Sequence, residues 1–326
     1  MNTTIGDPTR RPDPAPADPT PGPTVPPAAP PSRRSGVVVA LAQIAPRLGD
    51  VIANLEHHIA VLGQAAADGA NLVVFPELSL TGYFLKDLVP DVALRLDAPE
   101  IARLAAACTT VDAVVGVVLE SDDARFHNAA LHLSGGRVHH IHRKVYLPTY
   151  GLFDESRYLA PGDRLRAFAM PLSGAGQRRP WRAGTLICED MWHPSAAAVL
   201  ARQGVDVFIC PSASPARGIG HGMALGSERS YDAMTRTYAQ LFTSYVVYCN
   251  RVGYEDGVGF WGGSRVVGPD GRLLGPPAGR HEELLMHTLD LATVRRARVA
   301  NPLLRDARHD VTDDEINHLR RISAAD

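Results

Sequence analysis

Three segments that read as strands in this sequence each end beside a residue that can do chemistry. LVVFPELSLTGY leaves Glu77 past a run closed by Pro76. HIHRKVYLPTYGLFDESRY leaves Lys144 at the end of a second run, with Glu155 eleven residues on. TLICEDMWHP leaves Cys188 at the end of a third. Taken singly, each has a plain structural explanation: a surface carboxylate, a solvated charge, and a small buried hydrophobe, since free cysteine is among the most buried residue types. Together they hold the parts of covalent acyl transfer. A thiol with a pKa of about 8.5 is mostly protonated at neutral pH and needs a base or nearby cations to become a thiolate. A carboxylate can take that proton and hand it to a departing amine. A lysine beside the tetrahedral oxyanion, helped by a backbone N–H, supplies the charge stabilisation. The scheme needs neither a metal nor a cofactor.

The order and the spacing carry a resemblance. Glu77 and Lys144 are 67 residues apart, and Lys144 and Cys188 are 44 apart. The three segments resemble the nitrilase superfamily of carbon–nitrogen hydrolases. FPELSLTGY, RKVYLPTYGLFDESRY and LICEDMWHP are each similar to the glutamine-amidase domain of glutamine-dependent NAD synthetases. The similarity runs from about residue 37 to 290 and includes AQIAPRLGDVIANL and GGSRVVGPDG. It implies Glu77 as general base and acid, Lys144 as oxyanion stabiliser and Cys188 as the acyl-forming thiolate. It implies Glu155 as a second glutamate that positions the lysine and substrate, and the backbone N–H of Glu189 as part of the oxyanion hole. It also implies an α/β fold, a four-layer α-β-β-α sandwich, that pairs into homodimers or larger homo-oligomers.

Substrate contacts are expected where loops follow the catalytic strand ends. Tyr83 and Tyr150 are pocket candidates on that ground. Trp192 and His193 either line the pocket or cap the helix that begins at Pro194. PSASPARG corresponds to a segment that contacts substrate in the glutamine-amidase relatives, which brings in Ser214 and Arg217. Arg217 can read a carboxylate in a bidentate manner, or it is a solvated loop charge.

The elements that must position these residues follow from periodicity. GVVVALAQI reads as a buried strand. The next segment reads as a helix capped by Asp50, with Val51, Ile52, Leu55, Ile59, Leu62 and Ala66 on one face. NLVVFPE is a strand, a helix is expected over 99–108, and VDAVVGVVLE is a strand. NAALHLSGGRVHHIHRK reads as two strands joined by a Gly-Gly turn. AGTLIC is a strand, a helix starts near Pro194, VDVFICPSA is a strand and a helix covers roughly 227–243. YVVYCN and GFWGGSRVVGPDGRLLG complete the pattern, with a turn at Pro269-Asp270-Gly271.

Composition bounds the rest. The 326 residues are 45% hydrophobic with a net charge of −2, which gives no electrostatic footprint for nucleic acid. No apolar run is long enough to span a membrane. The four cysteines lack a C-x-x-C pair and suit a reducing, cytoplasmic setting. HHIHRK (His139, His140, His142) has no partner carboxylate or cysteine to complete a metal site, and LSGGRV reads as a turn. Residues 1–35 hold 11 of the 26 prolines and read as a disordered tail. The Arg10-Arg11 pair there lacks the apolar stretch of an export signal. Residues 36–326 read as one hydrolase domain with a polar C-terminal extension.

The expected function is therefore a cofactor-free amidase acting on a small-molecule amide through a thioester, with release of ammonia or an amine. Without an ATP-pyrophosphatase loop the chain is not expected to be a complete NAD synthetase. Three alternatives stand beside this reading: a glutaminase subunit feeding ammonia to a synthetase partner, a nitrilase, and a non-catalytic binding or scaffold relative.

Overall fold

The computed structural model describes residues 36–172, 179–218 and 225–323; the proline-rich segment 1–35 lies outside them. Two sheets face each other. The first runs β13 (Glu283–Leu289), β1 (Val37–Gln43), β2 (Leu72–Val74), β3 (Asp112–Glu120), β4 (Phe126–Ser134), β5 (Arg137–Arg143). The second runs β12 (Arg265–Val267), β9 (Tyr245–Asn250), β8 (Val207–Ser212), β7 (Trp181–Thr185), β6 (Phe168–Met170). A separate hairpin joins β10 (Val252–Glu255) to β11 (Val258–Trp261).

The two-residue period of a strand sorts side chains between the layers. Val37, Val39 and Leu41 of β1 enter the seam between the sheets, where they share one core with Val207, Ile209, Val247 and Cys249. Ala40 and Ala42 point the other way, into a core with Leu55 and Leu62 of the helix Val51–Ala67 and Ile101 and Leu104 of the helix Pro99–Ala106. The helices Pro194–Arg202 and Gly226–Leu241 cover the outer face of the second sheet, where Leu200, Tyr231 and Tyr238 join Phe208, Cys210 and Tyr248. The layers are helix, sheet, sheet, helix. Each such Leu or Val contributes roughly 1.5–3 kcal/mol by leaving water, which suffices to fix the sandwich.

The expected turns are present. Gly135 and Gly136 both take positive φ between β4 and β5, and Gly271 does so in the Pro-Asp-Gly turn. Asp50 caps its helix by accepting from Ala53 N at 3.0 Å. Other expectations need correction. Ile52 is 53% exposed, because the inward face of its helix includes polar Asn54 and His58. Their partners are groups of the loop after β2 and, for Asn54, the backbone of Arg47, which apolar periodicity cannot register. AGTLIC is not strand to its end: β7 stops at Thr185, and Cys188 opens a 3-10 turn. The edge strand β13, antiparallel to β1 along its whole length, and the short β6 were not foreseen. Both are only partly buried, so neither stands out as a buried run.

One close approach shapes the site. The turn after β2 is laid directly on Gly116 of β3, where Leu80 N donates to Gly116 O and Gly116 N donates to Ser79 Oγ. A Cβ at residue 116 would stand 2.3 Å from Leu78 N and 2.5 Å from Pro76 O. Gly116→Ala is expected to cost about 1–3 kcal/mol through overpacking and to cut turnover further, because the displaced backbone carries Glu77. Urea unfolding beside kcat checks this; wild-type values for both would refute it.

Candidate active site

Glu77 leaves β2 through Pro76, and Leu78 behind it takes φ +49°. This sharp exit is braced from the helix Val51–Ala67. Asn54 Nδ2 donates to Leu80 O at 2.9 Å, and His58 Nε2 meets Ser79 Oγ at 2.9 Å. Burial lowers the His58 pKa to about 3, so the ring is neutral and serves as a strut. The Glu77 carboxylate accepts at both oxygens. Oε1 takes Lys144 Nζ at 2.7 Å and Asn128 Nδ2 at 2.8 Å, and Oε2 takes Ala213 N at 2.8 Å.

Lys144 is the first residue past β5, and its N–H donates to Asn128 O at 2.8 Å. Only 1% of it is exposed. Its Nζ also donates to Glu155 Oε1 at 2.6 Å, and Tyr83 OH donates to that same oxygen at 2.5 Å. Burial opposes the ammonium, but Glu155 and Glu77 beside it hold its pKa well above the ordinary lysine value. Tyr83 is fixed in turn: Glu255 Oε2 accepts from Tyr83 N and Phe84 N, and Glu255 pairs with buried Arg251.

Cys188 takes φ +44°, a left-handed conformation that costs an ordinary side chain about 1–2 kcal/mol. Asp190, fully buried, holds it there. Its Oδ2 accepts from Ile187 N at 3.0 Å and from His142 Nε2 at 2.9 Å, while Oδ1 accepts from Val145 N and Tyr146 N, both at 3.0 Å. One carboxylate thus ties the Cys188 turn to the segment carrying Lys144. Tyr231 OH lies 3.1 Å from Cys188 Sγ and accepts from Trp192 Nε1 at 3.2 Å. Burial, and then the charge of Glu77, push the Cys188 thiol well above its ordinary pKa. At rest it is a thiol.

Cys188 opens on a cleft of about 350 Å³. Tyr83, Tyr150, Glu189, Trp192, Ser214 and Arg217, all expected from the sequence, line it together with Phe153 and Tyr231. Tyr150 OH donates to Glu189 Oε2 at 3.0 Å, and burial raises the Glu189 pKa. Ser214 is held at both ends: its N–H donates to Asn250 Oδ1 at 2.8 Å, and its Oγ accepts from Trp261 Nε1 at 3.1 Å. The Arg217 guanidinium stands 5.3 Å from the centre of the Phe153 ring. His193 does not line the cleft; it stacks on Tyr146 at 3.6 Å. In the histidine tract, His142 serves Asp190, His139 Nε2 meets Ala169 O, and His140 stacks on Phe168. Among the described residues, no group of three or more His, Cys, Asp or Glu side chains is placed to hold a metal ion.

Asn128, Asp190 and Tyr231 were not singled out from the sequence. Asp190 carried a signal of sorts, an acidic residue two places past the cysteine. Asn128 and Tyr231 carried none, since a strand amide and a helix tyrosine are ordinary until the fold brings them to the cluster.

A four-layer sandwich that brings Glu, Lys and Cys together beside one cleft defines a carbon–nitrogen hydrolase of the nitrilase superfamily. The model of the Carbon-nitrogen hydrolase family matches residues 38–299, and the chain belongs to that family, whose members act on C–N bonds. It is 32% identical over 267 residues to a glutamine-dependent NAD(+) synthetase of Thermotoga maritima, covering 81% of this chain and 44% of that protein. The chain thus spans under half the length of that relative. It is similar to the solved structure of the glutamine-dependent NAD+ synthetase of Acinetobacter baumannii (TM-score 0.69, 28% identity, 80% of this chain and 47% of the other). It is equally similar to an amidase of Nesterenkonia from the nitrilase superfamily (TM-score 0.70, 25% identity, 87% and 98%).

A pH dependence follows from Glu155. Burial raises its pKa to about 7, Lys144 pulling it down and Glu77 pushing it up. A carboxyl that binds its proton more tightly folded than unfolded favours the folded state below the unfolded pKa of about 4.3, and that contribution fades as pH rises towards 7. Activity runs the other way, because only ionised Glu155 pairs fully with Lys144. The expected kcat/KM falls as pH drops through about 7, and Glu155→Gln loses that limb at reduced activity. An unchanged acid limb in the variant would contradict the assignment.

Proposed function

We propose that the protein is an amidase that cleaves a small-molecule amide through a thioester on Cys188 and releases ammonia or an amine. The observation that carries this reading is the buried Glu77–Lys144–Glu155 cluster beside a cysteine that opens on a cleft. In the proposed reaction Cys188 Sγ attacks the amide carbonyl as Glu77 takes the thiol proton. The oxyanion develops next to Lys144 Nζ and the backbone N–H of Glu189. Collapse of the tetrahedral intermediate breaks the C–N bond, with Glu77 protonating the leaving nitrogen. Water, deprotonated by Glu77, then hydrolyses the thioester.

Four buried free cysteines support a cytoplasmic setting. Among the described residues no helix is long and apolar enough to cross a membrane. Exposed Val311, Ile316, Leu319 and Ile322 on the helix His309–Ser323 support association into a homodimer or larger homo-oligomer.

Cys188→Ala is expected to cut turnover by three orders of magnitude or more, the scale on which losing a nucleophile acts. Circular dichroism should remain that of the wild type. Mass spectrometry of wild type quenched during turnover should find the acyl group on Cys188. An adduct on Cys108, Cys210 or Cys249 instead would sink the mechanism.

A second reading, glutaminase activity that feeds a synthetase partner, is favoured by the likeness to glutamine-dependent NAD(+) synthetases and by Arg217 in the cleft wall. A charge-assisted bond from Arg217 to a substrate carboxylate is worth about 1.5–3 kcal/mol, so Arg217→Ala should lower kcat/KM for glutamine roughly 10- to 150-fold. A neutral aliphatic amide should hardly change. If glutamine is the better substrate and turns over only with a synthetase added, the glutaminase reading holds; if the purified protein prefers neutral amides, it fails.

A further inference from the structure

Tyr231, on the helix Gly226–Leu241, is 2% exposed, and its hydroxyl stands 3.1 Å from Cys188 Sγ. The steps assigned to Glu77, Lys144 and Cys188 give it no part. Its ring is held on several sides. It lies 4.8 Å from the Tyr248 ring, tilted, and 5.8 Å from Trp192, edge to face, with Trp261 at 6.4 Å. Trp192 Nε1 donates to the phenol oxygen at 3.2 Å.

Counting donors and acceptors fixes which way the bond between Tyr231 and Cys188 runs. An indole N–H only donates, so the phenol oxygen is the acceptor from Trp192, and the phenol proton still needs an acceptor of its own. Among the described residues, Sγ is the only other hydrogen-bond partner of this hydroxyl. Were the thiol to donate to the phenol oxygen instead, a strong O–H donor would be buried without an acceptor. That is the costlier arrangement, because S–H is the weaker donor of the two. The phenol therefore donates to sulfur, and the thiol proton is left for Glu77. Burial, and then Cys188, hold the Tyr231 pKa well above the usual tyrosine value, so the hydroxyl keeps its proton throughout.

We propose that Tyr231 is a further catalytic residue of this site, a fixed hydrogen-bond donor that stabilises sulfur as the thioester C–S bond breaks. The proposal rests on the thioester reading above. In deacylation, water adds to the thioester carbonyl while Glu77 takes its proton. As the tetrahedral intermediate collapses, the C–S electron pair passes to sulfur, the carboxylic acid leaves, and Glu77 returns the proton to Sγ. Sulfur carries most charge during that collapse. A thioester sulfur is a weak acceptor and a thiolate a strong one, so the bond from Tyr231 tightens where the barrier lies. A donor already in place then costs no reorganisation at the moment of reaction. Trp192 is the positioning residue that holds the phenol oxygen.

The test compares wild type with Tyr231→Phe, which keeps the ring and removes the hydroxyl, and with Tyr238→Phe as control. Tyr238, on the same helix, donates to Met191 O at 2.6 Å, so its variant also loses a bond to the Cys188 turn, but not one to sulfur. Each protein is mixed with p-nitrophenyl acetate, and the nitrophenolate burst, the steady rate after it and the acetyl adduct on Cys188 are followed. In Tyr231→Phe the steady rate should fall about tenfold or more, the worth of a hydrogen bond to a developing charge. Acetyl-enzyme should make up a larger share of the protein in intact mass spectra. Separately, the pH midpoint for alkylation of Cys188 by iodoacetamide should move up by about one unit or more. Trp192→Phe, at a position 42% exposed, should show the same changes to a smaller degree, and it carries the test if Tyr231→Phe fails to fold. Tyr238→Phe should stay within twofold of wild type in rate and keep its midpoint. Equal effects in the Tyr231 and Tyr238 variants, an unchanged alkylation midpoint, or deacylation at the wild-type rate would overturn the proposal alone. If wild type itself forms no acetyl adduct, the thioester reading falls and takes the proposal with it.

Discussion

The ammonium of Lys144, buried where the two sheets meet, is the constraint on which the rest of the structure depends. Removing such a charge from water costs several kcal/mol, and breaking a buried pair by losing one partner costs 3–5 kcal/mol. The fold therefore has to deliver carboxylates to that point. Glu77 comes from the exit of β2 and Glu155 from the turn after the lysine loop, each within 2.7 Å of Nζ. The carboxylates need donors in turn, and receive them from Asn128 on β4, Ala213 after β8 and Tyr83. Ala213 directly follows β8 of the second sheet, so the Glu77 carboxylate also links the two layers. Stability and site geometry rest on the same hydrogen bonds.

Asp190 does for the nucleophile what the carboxylates do for the lysine. Its oxygens take three backbone N–H groups and one imidazole, from two separate stretches of chain. A buried carboxylate with that many donors is rigid. Rigidity is what a cysteine at positive φ requires, because the strain at Cys188 persists only while its surroundings enforce it. The lysine loop and the cysteine turn are thereby clasped together, and the distance between electrophilic and nucleophilic groups is set by backbone rather than by side-chain rotamers.

These two arrangements explain what was legible beforehand. Glu77, Lys144 and Cys188 were visible because each follows a segment that reads as a strand, and a strand followed by a reactive residue leaves a pattern in one dimension. The alternation along β1, the Gly-Gly hairpin and the Asp50 cap were visible for the same reason: their causes are local. The polar residues that secure the site were not. Asn54 and His58 interrupt the apolar face of their helix, and their contacts with the loop after β2 and the backbone of Arg47 explain them. Asn128 reads as one polar residue in a strand, and Tyr231 as one aromatic in a helix 43 residues from its cysteine. Their roles come from tertiary geometry. The edge strand β13 was missed because it buries only part of its surface, so its residues mix polar and apolar without a clear run.

The same geometry decides when the thiol gives up its proton. The cluster already buries two carboxylates against one ammonium, and a thiolate would add a second uncompensated negative charge in a site nearly closed to water. That is why burial and Glu77 together keep Cys188 protonated, even with Lys144 nearby. In the mechanism we propose, a substrate carbonyl changes the balance. As the S–C bond forms, negative charge passes from sulfur to the carbonyl oxygen, and the oxygen, unlike the sulfur, gains the donors of the oxyanion hole. The proton moves to Glu77 in the same event, which lowers the charge on the carboxylate side of Lys144 and frees the ammonium to face the oxyanion. In the proposed mechanism the cysteine is thus activated by the substrate it attacks, and the resting enzyme keeps an inert thiol. A phenol proton from Tyr231 beside Sγ fits this order of events, since it can stabilise sulfur as charge builds without itself ionising; its own pKa is held well above the usual tyrosine value, first by burial and then by Cys188.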